Sequence, residues 1–153
     1  MVSLSEFRSD TRAINDGVWI RVNEASYGDL EIKSRGFTDD FVDAQNTRLG
    51  KAAEAYNGDR TRLPNSELRK INASLLEDFL VLDVRNLTDG DQVVPVAVFH
   101  TMLYDPAFNR LSRACWEAAS RVTTRSEAQI KAAAENSHAP SAFTSTGVTS
   151  EPG

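Results

Sequence analysis

Cysteine and histidine are almost missing from this sequence of 153 residues. It has one cysteine, Cys115, and two histidines, His100 and His138. One cysteine cannot form an intramolecular disulfide, and a zinc site needs three or four convergent ligands. The sequence therefore predicts no disulfide and no metal site, and we expect Cys115 to be a small core residue.

Long apolar runs are missing as well. The longest apolar stretches lie around residues 75–82 and 93–99, well short of the roughly 20 residues that cross a bilayer. The first twenty residues contain three acids and no continuous apolar stretch, unlike a signal peptide. We therefore expect a cytoplasmic protein that has no membrane partner.

Positive charge is scarce, with 17 Lys and Arg against 22 Asp and Glu and a net charge of −5. Phosphate binding depends on clustered Lys and Arg. Arg110, Arg113, Arg121 and Arg125 follow the last predicted helix, but Glu117 interrupts them, which is typical of a solvated helix face. The sequence predicts no nucleic-acid partner.

The motifs of common active sites are also missing. No glycine pattern of a phosphate-binding loop occurs, and no nucleophile motif surrounds a Ser or the Cys. Carboxylates cluster at 39–43, 77–78 and 89–91, where a helix start, a helix face and a turn account for them. We therefore predict a protein that is not an enzyme and needs no cofactor.

An ordinary globular composition remains, with 41% hydrophobic and 25% charged residues. It predicts a single domain over residues 1–135. From residue 136 the sequence becomes small and polar, which predicts a disordered tail over 136–153.

Alternating apolar residues predict a β-hairpin over 17–36. Val18, Ile20 and Val22 alternate with polar or aromatic residues on the first strand. On the return strand Leu30 and Ile32 should face inward, while Glu31 and Lys33 face outward.

Helical periodicity predicts four helices, at about 38–56, 66–83, 96–104 and 106–134. Thr38 and Asp105 are expected N-caps, and Ser126 with Gln129 resembles a capping box. The Asp89-Gly90 turn predicts a second short hairpin. The expected fold is α+β and mainly helical, with the N-terminal hairpin packed on a bundle of about four helices.

Aromatic residues are the remaining candidates for function. Trp19 and Trp116 lie off the inward positions of their elements, and Phe99 and Tyr104 add to the aromatic surplus. Exposed aromatic side chains often anchor protein partners. We therefore predict Trp19, Phe99, Tyr104 and Trp116 as partner-binding residues.

The order of these elements resembles the tail assembly chaperones of phages with long non-contractile tails. The likeness covers roughly residues 10–122 and lies in the hairpin, in the acid-rich start of the next helix, and in Leu75-Leu76-Glu77-Asp78-Phe79-Leu80-Val81-Leu82. It continues in the Thr88-Asp89-Gly90-Asp91 turn and in Met102-Leu103-Tyr104-Asp105-Pro106.

The resemblance implies a transient role in virion assembly. Such a chaperone binds and solubilises the tape measure protein in the host cytoplasm while the tail tube forms, and it is shed from the finished virion. It also implies contact with the tail-tube protein and self-association. A permanent structural virion component, such as a tail adaptor or completion protein, is the first alternative, and a small DNA-binding regulator is the second.

Overall fold

The predicted hairpin is present and forms two strands of a three-stranded antiparallel sheet. In the computed structural model, which describes residues 1–138, strand β1 spans Val18–Arg21 and strand β2 spans Glu31–Ser34. Ile20 pairs with Ile32 across the two strands, in the register that the alternation predicts. The connection is longer than a tight turn, because it contains one helical turn, Glu24–Tyr27.

The third strand corrects the predicted end of the central helix. Instead of spanning 66–83, the α-helix spans Asn65–Leu75, continues as a π-helical turn over Leu76–Leu80, and gives way to strand β3, Val81–Arg85. Strand β3 pairs with β2, and Ile32 lies opposite Val84. The periodicity of this apolar run fits either a helix or a strand. The run is a strand because it pairs with β2, which lies about fifty residues earlier in the chain.

The helices otherwise lie close to their predicted positions. They are α1 Thr11–Asp16, α2 Glu24–Tyr27, α3 Asp39–Ala53, α4 Asn65–Leu75, α5 Val96–Met102, α6 Asn109–Thr124 and α7 Glu127–His138. Short 3-10 turns span Leu4–Phe7, Glu54–Tyr56, Arg60–Arg62 and Pro106–Phe108. Helices α1 and α2 and the turn before α1 were not predicted, whereas the α+β, mainly helical class is confirmed.

Two expected N-caps are confirmed by hydrogen bonds. The Thr38 hydroxyl accepts a hydrogen bond from the backbone N–H of Phe41 at 3.2 Å. The Asp105 carboxylate accepts one from Ala107 at 2.8 Å, directly before Pro106. These caps set where the following helical segments begin.

The last predicted helix, 106–134, is two α-helices. It breaks at Arg125, whose backbone is extended, and restarts at the predicted capping box, where Ser126 and Gln129 exchange hydrogen bonds of 2.9 and 3.3 Å. Helix α7 then extends to His138, so residues 136–138 are helical and do not begin a tail. The rest of the predicted tail lies outside the described residues.

The second short hairpin is also present, as strands β4 Thr88–Asp89 and β5 Gln92–Val93. Gly90 supplies the positive φ of 62° that the turn requires. The hairpin lies apart from the main sheet, because its strands pair only with each other in the described sheets.

The core forms between helix α6 and the inner face of the main sheet. Small buried residues on α6, namely Ala114, Cys115, Ala118, Ala119 and Val122, allow the helix to contact β1 and β2 closely. One hydrophobic cluster joins buried residues from Ala13 to Ile130. No helix in the described part of the chain combines the length and hydrophobicity needed to cross a membrane.

Candidate partner-binding surfaces

The main sheet has a polar face directed away from the core. We call it the outer sheet face and define it by two rows of side chains that follow the strand register. One row is Trp19, Lys33 and Asp83, and the other is Arg21, Glu31 and Arg85. Alternate residues of a strand point to opposite sides of a sheet, and the intervening Ile20, Ile32 and Val84 belong to the core.

Glu31 lies at the centre of the second row and is almost fully buried. Its side chain is only 4% exposed, and it receives a short hydrogen bond from Arg85 Nε while Arg21 Nε lies 3.6 Å from its second oxygen. The predicted outward direction of Glu31 agrees with its place between these two arginines. Its burial was not predicted, because the arginines that cover it come from different strands.

Trp19 stacks against Arg85 on the same face. The guanidinium carbon of Arg85 lies 4.0 Å from the centroid of the Trp19 ring, which is the geometry of a cation–π contact. Trp19 is partly exposed and is not among the side chains packed on the core. The structure thus places this predicted residue on an open surface with its ring held in one orientation.

Trp116 lies at a second surface, a groove between helices α4 and α6 with a volume of about 410 Å³. Its ring packs 6.2 Å from Phe37 and 6.0 Å from Phe41, measured between centroids, so most of it is part of an aromatic cluster. Asn65, Asn72 and other polar side chains line the rest of the groove. Trp116 is half-buried and packs on the core, so its main role is structural.

Tyr104 is 39% exposed, but its hydroxyl is already engaged. It donates a 3.0 Å hydrogen bond to Glu77 Oε1. Partial burial, followed by this contact with a carboxylate, raises the pKa of Tyr104 to about 12. Tyr104 stays neutral at physiological pH, and its ring, rather than its hydroxyl, is available for a contact.

Phe99 is a correction to the predicted partner-binding set. It is fully buried in the core, because it lies on the face of helix α5 that packs against strand β3. The neighbouring Val98 lies on the exposed face of the helix. The structure therefore excludes Phe99 from a surface contact. The four predicted aromatic residues do not form one site.

The surroundings of His100 and Cys115 indicate structural roles for both residues. His100 Nε2 lies 3.0 Å from the carbonyl oxygen of Val81 and so covers the edge of strand β3. Cys115 is fully buried, and burial raises the pKa of its thiol above the usual range. Among the described residues, no three His, Cys, Asp or Glu side chains are grouped so as to hold a metal ion.

Two of the four arginines along the last predicted helix, Arg110 and Arg121, make side-chain contacts within the chain. Arg110 donates to the carbonyl oxygen of Ser26, and Arg121 donates to that of Arg21 and pairs with Glu117. Partial burial and the nearby Arg121 lower the pKa of Arg125. Arg110 and Arg121 attach α6 to the region of the sheet, so these two side chains are not part of a free basic strip.

An exposed apolar segment at the N-terminus was not predicted. Leu4 is 85% exposed and Phe7 is 72% exposed. They lie at the ends of the 3-10 turn Leu4–Phe7, in which side chains three residues apart point the same way. The sequence signal was available, because Ser3 and Glu6 form a capping box around this turn.

Comparison with known proteins adds no family assignment. The chain matches no protein-family model, no curated protein and no solved structure.

Proposed function

We propose that this protein is a non-catalytic tail assembly chaperone of a phage, which binds and solubilises the tape measure protein in the host cytoplasm. The observation that carries the proposal is the exposed apolar pair Leu4 and Phe7 on one side of the N-terminal turn. A holdase for apolar or amphipathic helices needs such side chains outside its own core. The resemblance over residues 10–122 supports the choice of partner.

The size of this apolar pair suits a reversible contact. Burying a Leu or Phe side chain contributes about 1.5–3 kcal/mol, and association must also offset the loss of rotational and translational freedom. One copy therefore binds weakly, and several copies along a long helical partner are needed to keep it soluble. Weak individual contacts also allow the chaperone to leave when the tail tube closes around its partner.

Co-expression with the tape measure protein of the same phage tests the proposal. The wild-type chain should increase the soluble fraction of the tape measure protein several-fold, and the double variant L4S/F7S should lose most of that gain. V93S is the matched control, because Val93 is as exposed as Phe7 but lies on the second hairpin. Circular dichroism should show that both variants are folded.

The same experiment can contradict the proposal. If the wild-type chain leaves the tape measure protein as insoluble as it is alone, the chaperone function is wrong. Mass spectrometry of purified virions separates the main alternative, because a chaperone should be absent from them and a structural component present. Binding to duplex DNA that weakens steeply with salt would instead indicate the DNA-binding regulator.

A further inference from the structure

We propose that the outer sheet face binds an acidic, helical segment of the protein partner, with Trp19 as the apolar anchor and Arg21, Lys33 and Arg85 as the charged contacts. This inference rests on the proposed function and adds the chemistry of the bound segment. It concerns a different surface from the N-terminal apolar pair. The two surfaces can therefore be tested separately.

Charge complementarity selects an acidic occupant. The outer sheet face carries three cations and two carboxylates, and one of those carboxylates, Glu31, is buried between Arg21 and Arg85. Asp83 is the exposed acid of the two rows. The face is therefore locally cationic on a chain whose net charge is −5. Opposite local charge favours encounter with an acidic partner and its orientation.

The cations retain hydrogen-bond donors for a ligand. Arg85 uses its Nε to bind Glu31, which leaves both of its terminal Nη groups without a hydrogen bond among the described residues. Lys33 makes no hydrogen bond or ion pair through its side chain within the same part of the chain. Glu31 and Trp19 hold the Arg85 guanidinium in place, so binding costs little additional side-chain entropy.

The spacing of the arginines fits a helix laid across the strands. Arg21 and Arg85 lie on β1 and β3, on either side of β2. Their Nε atoms both approach the Glu31 carboxylate, so the two guanidinium groups lie closer together than the strand backbones, which are separated by about 9.6 Å. Acidic residues four positions apart lie on one face of a helix and are separated by about 6 Å along its axis. Such a helix can place one carboxylate near each arginine and an apolar residue over Trp19.

A protein segment fits this face better than a nucleic acid. Binding of a single strand usually uses several aromatic side chains to stack successive bases, whereas Trp19 is the single aromatic residue of the two rows. Asp83 lies next to Lys33 and would repel a continuous phosphate backbone. Trp and Arg are also among the residues that are enriched at the energetic centres of protein interfaces.

Fluorescence anisotropy with labelled helical peptides tests the inference on the full chain. The probe has leucines on one face and glutamates spaced by four residues, and its control has glutamine in place of each glutamate. We expect the Glu peptide to bind at least tenfold more tightly than the Gln peptide. Lys33→Glu and Trp19→Ala should each weaken its binding at least fivefold, and Lys70→Glu, the same charge change on helix α4, less than twofold.

Intrinsic fluorescence locates the contact. The chain has two tryptophans, so Trp116→Phe leaves Trp19 as the single reporter, and its emission should shift when the Glu peptide binds. Equal affinity for the Glu and Gln peptides, or an unchanged Trp19 emission, would overturn the inference. Tighter binding of a twenty-nucleotide oligothymidine than of the Glu peptide would overturn it as well.

A failure of this inference can be distinguished from a failure of the proposed chaperone function. If Lys33→Glu solubilises the tape measure protein as well as the wild type does, while L4S/F7S does not, the role of the outer sheet face is wrong and the chaperone function stands. If the wild type binds the Glu peptide through Lys33 but does not solubilise the tape measure protein, the face binds an acidic segment of a different partner and the chaperone function is wrong.

Discussion

Glu31 shows how single residues define the outer sheet face. A buried carboxylate is costly unless it is paired, and here Arg21 and Arg85 contact its two oxygens from the flanking strands. The arrangement has two consequences. It joins all three strands of the sheet through side chains, and it fixes Arg85 against Trp19. The residue is thus placed to support both stability and the proposed binding surface.

Replacing Glu31 with glutamine should destabilise the fold. The amide would leave two arginines without a counter-charge at a site that is 4% exposed, and we expect a loss of about 1–3 kcal/mol in the free energy of unfolding. Urea denaturation followed by circular dichroism measures it. Asp16→Asn is the control, because its pair with Arg12 is exposed to solvent and should contribute less than about 0.5 kcal/mol. Equal losses in the two variants would contradict the role assigned to Glu31.

At the scale of elements, the entry into strand β1 depends on Gly17. Its φ of 86° and ψ of 149° lie in a region that is essentially limited to glycine. A Cβ built on Gly17 would lie 2.5 Å from a terminal carbon of Leu82 and 3.3 Å from the carbonyl oxygen of Ser34. Helix α1 can therefore end, and β1 begin beside β2, at a residue that has no side chain and lies close to Ser34 and Leu82.

Gly17→Ala should cost about 2–4 kcal/mol in the free energy of unfolding, from backbone strain and from the close approach of the added Cβ to the Ser34 backbone and to Leu82, whose terminal carbon must move aside. Gly28→Ala separates the two causes. Gly28 also has a positive φ, 61°, but no atom lies within 4 Å of the added Cβ, so we expect a loss of about 1–2 kcal/mol. Thermal and urea unfolding measure both. If Gly28→Ala costs as much as Gly17→Ala, close packing at the start of β1 is not the cause.

At the scale of the whole molecule, helix α6 joins the parts of the fold. It contacts both β1 and β2, and Glu117 and Arg121 reach backbone groups at the end of β1. Cys115 lies on the buried side of this helix with no exposed area. Because α6 cannot separate from the sheet without exposing the core, accessibility of the Cys115 thiol reports on global unfolding.

The native thiol should accordingly resist modification. Cys115 should react with a disulfide reagent at pH 8 at least 100-fold more slowly in buffer than in denaturing urea, because burial both shields the thiol and raises its pKa. Absorbance of the released thiolate follows the reaction. In a C115A background, a cysteine in place of the exposed Ser120 on the same helix should react within seconds. Fast reaction of native Cys115 would indicate local opening of α6.

Local patterns were sufficient for much of this fold. Apolar alternation placed the strands of the first hairpin, and side-chain caps at Thr38, Asp105 and Ser126 placed the starts of helical segments. These features depend on contacts between residues a few positions apart, which a sequence shows directly. The capping box of the exposed turn with Leu4 and Phe7 is equally local, although this turn was not predicted.

Long-range packing decided the rest. Val81–Arg85 could continue a helix by periodicity, and it is a strand because β2 offers backbone partners there. Phe99 and Trp116 are turned into the interior by the elements on which they pack, and the cover over Glu31 comes from two other strands. Each of these outcomes joins residues distant in the chain. The free energy of strand pairing and side-chain burial between such residues exceeds the secondary-structure preference of each short segment. A local sequence pattern does not show which distant segments will pack together.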